Sequence, residues 1–198
     1  MMPFFAGCTA LTAKNTVVNT IVTAPVAGAV GAESANFGLI GRVSVKGGKE
    51  SFAGGVQWHH GEGGDEILLL SPLGQTLAQI QRISEGVHLR TSEQNYYATD
   101  VESLTEQVLG WRLPLQGLQY WIQSLNSPVT ASEIDMDING RVMAIRQDGW
   151  EISYLSYFPV LRAPTTQSQT ARPKLLMLKR SALQIKLIID DWNLGSSH

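Results

Sequence analysis

The side chains whose chemistry would be useful are few, and their spacing argues against most reactions. His59 and His60 are adjacent. On an extended chain neighbours point to opposite faces, so the two imidazoles cannot share a metal ion, and a surface or strand-end pair is expected. Asp135-x-Asp137 puts two carboxylates on one strand face, but the glycine and distal glutamate of a calcium loop do not follow. Solvent-facing alternation is the expectation there, and Asp190-Asp191 reads as a polar strand end. Gly61-x-Gly63 lacks the third glycine and the following helix of a phosphate cradle. There is no Gly-x-Ser-x-Gly elbow, and the single cysteine, Cys8, has no base beside it. The sequence therefore predicts no catalytic residue, no metal and no cofactor, and points to a binding protein rather than an enzyme.

What must position a binding surface is read from patterning. The 198 residues are the size of one domain, and hydrophobic residues at 43% suffice for a core. Fifteen basic and seventeen acidic side chains give a net charge of -2, which argues against a dedicated nucleic-acid binder. From Phe37 onward the dominant period is two. Phe37, Leu39, Val43 and Val45 share a face, Phe52, Val56 and Trp58 follow the Gly47-Gly48 turn, and Ile67–Leu70 is a continuous apolar run. Shorter strands are expected over 77–83, 87–90 and 96–99.

The period then changes. Thr99-Asp100-Val101-Glu102 reads as a capping box, Val101, Leu104 and Val108 recur at helical spacing, and Gly110 is a stop signal. Pro114 suits the first turn of a second helix whose stripe is Leu115, Leu118, Ile122 and Leu125, widened by Trp121. Alternation resumes at Ile134, turns at Asn139-Gly140 and Asp148-Gly149, and ends in strands over about 174–180 and 183–192, after a polar loop at 163–173. The expected fold is mainly β: an open, incomplete antiparallel barrel of about eleven strands, with two helices inserted after the sixth to act as a lid over an apolar interior. A β-sandwich explains the alternation equally well but gives the helices no place.

The N-terminus reads as an address. Phe5-Ala6-Gly7-Cys8 is similar to the bacterial lipobox, whose cysteine is acylated, although Phe5 stands where leucine or valine is usual. Thr9 in place of aspartate points outward, away from inner-membrane retention. Only seven residues precede Cys8, short of a secretory signal, so the expectation is a start site placed downstream of the natural one, or a shortened chain. The alternative is an ordinary Ala-Gly-Cys tripeptide at a frayed end. Residues 1–36 are expected to be lipobox and tether, and 37–198 a single open-barrel domain.

Several stretches together resemble the LolB family of outer-membrane lipoprotein receptors. They are Gly41–Val45, Trp58, Glu66–Leu70 running into Ser71-Pro72-Leu73-Gly74-Gln75-Thr76, Leu109-Gly110-Trp111-Arg112-Leu113-Pro114-Leu115 with Leu118 and Tyr120-Trp121-Ile122, Gln147-Asp148-Gly149-Trp150 with Tyr154, and Leu187–Trp192. They lie in family order across 37–192. The segment before Phe37 departs from the family's polar amphipathic helix.

The resemblance implies a monomer anchored through Cys8 to the periplasmic face of the outer membrane, in contact with its inner leaflet. It further implies that a LolA-like periplasmic carrier delivers lipoproteins to it, that their acyl chains enter the cavity, and that no nucleic acid is involved. Pro72, Leu73 and Gly74 match the family's membrane-insertion loop, in which the leucine protrudes; an ordinary turn leucine would fold back onto its sheet. Trp58, Trp111, Leu118, Trp121, Ile122, Trp150 and Trp192 are candidates for the acyl-chain cavity and lid, against plain core packing. Residues from Arg141 onward carry eight basic and four acidic side chains, the rest seven and thirteen. That asymmetry would steer an acidic carrier, or is simply a solvated surface. A soluble lipid carrier or sensor, and an envelope-assembly lipoprotein without a ligand, are the competing readings.

Overall fold

The computed structural model describes residues 16–29, 34–159 and 171–193. Twelve antiparallel strands form one sheet: β1 (Asn19–Thr23), β2 (Phe37–Lys46), β3 (Phe52–Gly61), β4 (Gly64–Leu70), β5 (Thr76–Ile83), β6 (Gly86–Thr91), β7 (Asn95–Ala98), β8 (Ser132–Met136), β9 (Val142–Gln147), β10 (Trp150–Tyr157), β11 (Pro173–Arg180) and β12 (Leu183–Asn193). Two helices, α1 (Val101–Leu109) and α2 (Leu115–Trp121), fall between β7 and β8.

The spatial order is β1-β8-β9-β10-β11-β12-β2-β3-β4-β5-β6-β7. Two meanders are thus joined where β12 pairs with β2, from Gln184 opposite Lys46 to Asn193 opposite Gly38. Strands β1 and β7 are left as edges, so the barrel stays open. The expected open sheet with inserted helices is what the chain forms. One strand more than the expected eleven is present. It is β1, inside the segment read as tether, and it pairs along β8 from Asn19 opposite Met136 to Thr23 opposite Ser132.

Period-two alternation decides which side chains meet. Leu39, Val43 and Val45 of β2, Trp58 of β3, Ile67 and Leu69 of β4, Ile80 of β5, Leu89 of β6 and Ile152 of β10 are all buried in one core. The helices close that face. Asp100, rather than Thr99, caps α1, its carboxylate accepting from the Ser103 amide at 2.8 Å; the N-cap is therefore one residue later than expected, and Glu102 falls at N2, out of place to close the expected box. Gly110 ends α1 in the left-handed region at φ 81°, its N–H donating to the Glu106 carbonyl at 3.1 Å. Helix α2 stops at Trp121, and Ser124 turns the chain at φ 62°. The stripe expected to run through Leu125 breaks there, and Leu125 is exposed.

Candidate functional site

The seam beneath the helices carries the first candidate site. Leu39, Val43, Val56, Trp58, Ile67 and Leu69 from the sheet, with Leu178, Ile185 and Leu187, face Trp111, Leu113 and Leu118 from the helical segment. Together they enclose a cavity of about 40 Å³ lined by apolar side chains alone. That is room for about three water-sized spheres, so an acyl chain enters only if the helices move off the sheet. Of the seven residues expected at a cavity or lid, Trp58, Trp111 and Leu118 line it. Trp121, Ile122 and Trp150 are buried in the same core without lining it. Trp192 is half-buried, edge-on to Phe37 at 6.0 Å, with its indole N–H donating to the Pro173 carbonyl at 3.1 Å.

Around Trp121 the lid is tied by side-chain hydrogen bonds centred on Gln147, which the sequence marks only as part of the Gln147–Trp150 stretch and to which it assigns no role. The Gln147 side chain is buried; its Oε1 accepts from the Trp121 indole and the Ser127 amide, both at 2.9 Å. Its Nε2 donates to the carbonyls of Ser127 at 2.8 Å and Thr130 at 2.9 Å. Tyr154 adds a hydroxyl donating to the Trp121 carbonyl at 2.5 Å. Burial pushes the Tyr154 phenol well above its ordinary pKa, so it stays a neutral donor. Gly117 makes room for this arrangement, since a Cβ there would lie 2.3 Å from the Trp121 ring. At the seam, by contrast, Trp111, Leu113 and Leu118 meet the sheet through apolar contact. The Leu113 amide donates to the Thr105 hydroxyl at 3.0 Å, joining the segment before α2 to α1, and the Lys49 amide of the β2–β3 turn donates to the Gly110 carbonyl at 2.8 Å at the edge of the seam.

A buried charged cluster lies at the other end of β3. The pair His59 and His60 does face opposite ways, but only His59 is exposed. His60 is fully buried, stacked on Phe37 at 5.0 Å, with Nδ1 2.8 Å from an Asp65 oxygen; the pair lies at the end of β3 as one expectation had it, but the surface placement is corrected for His60, which is a core histidine. Asp65 also accepts from the Trp58 indole at 2.7 Å and from Arg82 at 2.6 Å. Burial alone would raise its pKa, but the hydrogen bonds from His60, Trp58 and Arg82 outweigh it and hold the carboxyl below the usual range. Among the described residues His60 Nε2 is buried without a hydrogen-bond partner. Asp135 and Asp137 are likewise buried rather than solvent-facing. Asp135 accepts from Arg146 at 2.6 Å and Thr20 at 2.7 Å, and Asp137 accepts from the amides of Asn139 at 2.8 Å and Arg141 at 2.9 Å, folding the hairpin turn. Both therefore spend their oxygens on structure. Asp190 is exposed and pairs with Arg42 at 2.7 Å.

The third feature is the turn after β4. Ser71 accepts from the Gly74 amide at 2.9 Å through its carbonyl, and its hydroxyl accepts from the amides of Leu73 at 3.3 Å and Gln75 at 3.2 Å. Gly74 sits at φ 81°, where L side chains are strained. Leu73 consequently projects and is 89% exposed, so the turn does not fold its leucine back onto the sheet. Cys8 and most of the polar loop at 163–173 lie outside the described residues.

Residues 35–192 match the profile of the family described as outer membrane lipoprotein LolB. An outer-membrane lipoprotein LolB of Nitrosomonas europaea is 40% identical over 187 residues, covering 94% of this chain and 86% of that protein. Another from Thiobacillus denitrificans is 41% identical over 155 residues, covering 78% of each. Among solved structures, a LolA-superfamily protein from Nitrosomonas europaea superposes with a TM-score of 0.45 at 10% identity, covering 82% of this chain and 87% of that one. The profile match and the two curated relatives together establish that this chain belongs to the LolB family of outer-membrane lipoproteins.

Proposed function

We propose that this protein is a lipid-anchored receptor that takes lipoproteins from a LolA-like periplasmic carrier, shelters their acyl chains under the α1–α2 lid and inserts them into the outer membrane. It acts by binding and release, as a monomer, without catalysis. The observation that carries this reading is the apolar seam between sheet and helices in a chain of this family. Three chains of about sixteen carbons expose roughly 45 methylenes, which at ~0.8 kcal/mol each costs of order 35 kcal/mol in water. Transfer must therefore run from one apolar shelter to another, downhill from carrier to receptor to bilayer.

In this mechanism the lid swings about its tied end. The bonds from Gln147 and Tyr154 hold Trp121 in place, and the seam at Trp111, Leu113 and Leu118 parts to admit the chains. Trp58 and Trp111 then line the opened cavity. Leu73, held outward by Ser71, enters the leaflet and lets the chains pass into it. Acylated Cys8 keeps the protein at that membrane, and the basic side chains after Arg141 steer the carrier.

The test is a carrier-to-receptor transfer assay with palmitate labelling of the same proteins. Leu73→Glu is expected to accept lipoprotein and fail to insert it, and Cys8→Ala to lose the label. Equal insertion by Leu73→Glu would overturn the role of the turn, and label-free wild type would favour a soluble carrier.

A further inference from the structure

Beside the Leu73 turn, the outer face of β2, β3 and β12 carries a groove of about 820 Å³. Its floor is shallow because the residues there are small: Ser44, Ala53 and Gly55. One wall is Leu70 and Pro72, the base of the turn that projects Leu73; the other is Lys186 and Ile188. Strands β2 and β4 run in the same direction, so Lys46, at the end of β2, lies at the same end of the sheet as that turn.

The charge in this groove is unbalanced in one place. Arg42 is neutralised by Asp190. Lys46 stands opposite Gln184 and Lys186 opposite Ser44, which makes the two lysines diagonal neighbours on one face. Both are exposed, and neither forms an ion pair with a described residue. Two ammonium groups this near repel unless an anion sits between them, and the projecting Leu73 at the same end of the sheet points to an anion carried on a lipid.

We propose that this groove binds the headgroup of an anionic glycerophospholipid of the target leaflet, its phosphate between Lys46 and Lys186 and its acyl chains left in the leaflet on the Leu73 side. The inference rests on the insertion role of Leu73 argued above, because a leucine in the leaflet brings the two lysines to headgroup depth. It adds that docking selects leaflets by charge, which the leucine alone does not do.

The test is co-sedimentation of the full chain carrying Cys8→Ala with vesicles of phosphatidylcholine alone or mixed with phosphatidylglycerol. Wild-type affinity for the mixed vesicles is expected to exceed that for the neutral ones by about twentyfold. Lys46→Ala/Lys186→Ala removes that excess and leaves neutral binding unchanged, whereas Lys174→Ala, a charge at the other end of β11, leaves both within about twofold. Ala53→Trp fills the floor without touching a charge and removes the excess too. An excess that survives either groove variant, or falls equally with Lys174→Ala, overturns the proposal. If Leu73→Glu abolishes binding to both vesicles while the groove variants change nothing, insertion stands and the groove fails. If Leu73→Glu changes nothing while the lysines matter, the insertion reading fails instead.

Discussion

The two ends of the helical lid meet the sheet by different physics. Around Trp121 the contact is directional: Gln147 uses both oxygen and nitrogen of its amide, and Tyr154 clamps a main-chain carbonyl. Around Trp111, Leu113 and Leu118 it is apolar packing onto the sheet that leaves a small void, with a main-chain bond from Lys49 to the Gly110 carbonyl at its edge. Buried polar bonds are costly to leave unmade, whereas apolar surfaces part and re-form against any other apolar partner. In the proposed mechanism this contrast lets one lid be both held and opened, with the buried polar cluster of Asp65, His60, Trp58 and Arg82 holding the sheet beneath it.

Four substitutions sharpen that contrast, taken from the largest expected loss of stability to the smallest. Asp65→Ala strands Arg82, His60 and the Trp58 indole and should cost about 3–5 kcal/mol in urea unfolding. The same carboxylate predicts a pH dependence. Its pKa is lower folded than the ~3.9 of an unfolded aspartate, so its stabilisation is complete above that value and disappears as pH falls through the folded pKa. The difference between wild type and Asp65→Asn should accordingly shrink on acidification below about pH 4, as read by urea midpoints across a pH series. Gln147→Leu leaves the Trp121 indole and the Ser127 amide buried and unpaired and should cost about 2–4 kcal/mol; a smaller loss would mean that the tied end is not tied.

Gly117→Ala pushes a methyl group into the Trp121 ring and should cost about 1–3 kcal/mol, with a red-shifted tryptophan emission as the indole is displaced. Leu73→Glu lies outside the core and should change stability by less than about 0.5 kcal/mol while abolishing insertion into vesicles.

Much of this architecture is legible in residue order. Alternation and glycine-bearing turns locate eleven strands, and the switch to helical spacing at Val101 locates the inserted helices. The parts that escape are those decided by partners far away in sequence. Strand β1 is five residues, Asn-Thr-Ile-Val-Thr, in an Ala/Val-rich stretch, and only its pairing with β8 some 110 positions later makes it a strand. His60 reads as half of a surface pair until hairpin register sets it opposite Asp65. The helical stripe continues to Leu125 in the sequence, but Ser124 leaves helical geometry. Gln147 looks like an ordinary strand end because all its partners lie in the lid and the loop that follows it. The cavity is expected from the sequence but its small size is not, since its volume is the small difference between a sheet's curvature and the side chains that fill it.

The claim on which the rest depends is that acyl chains lodge at the apolar seam. Fluorescence quenching by a triacylated lipopeptide with brominated chains tests it most directly. Binding should quench the emission of Trp58 and Trp111, and most of that quenching should vanish in Trp58→Phe/Trp111→Phe while lipopeptide still binds. Quenching that persists undiminished in the double variant, or bound lipopeptide that leaves both indoles bright, would contradict the account.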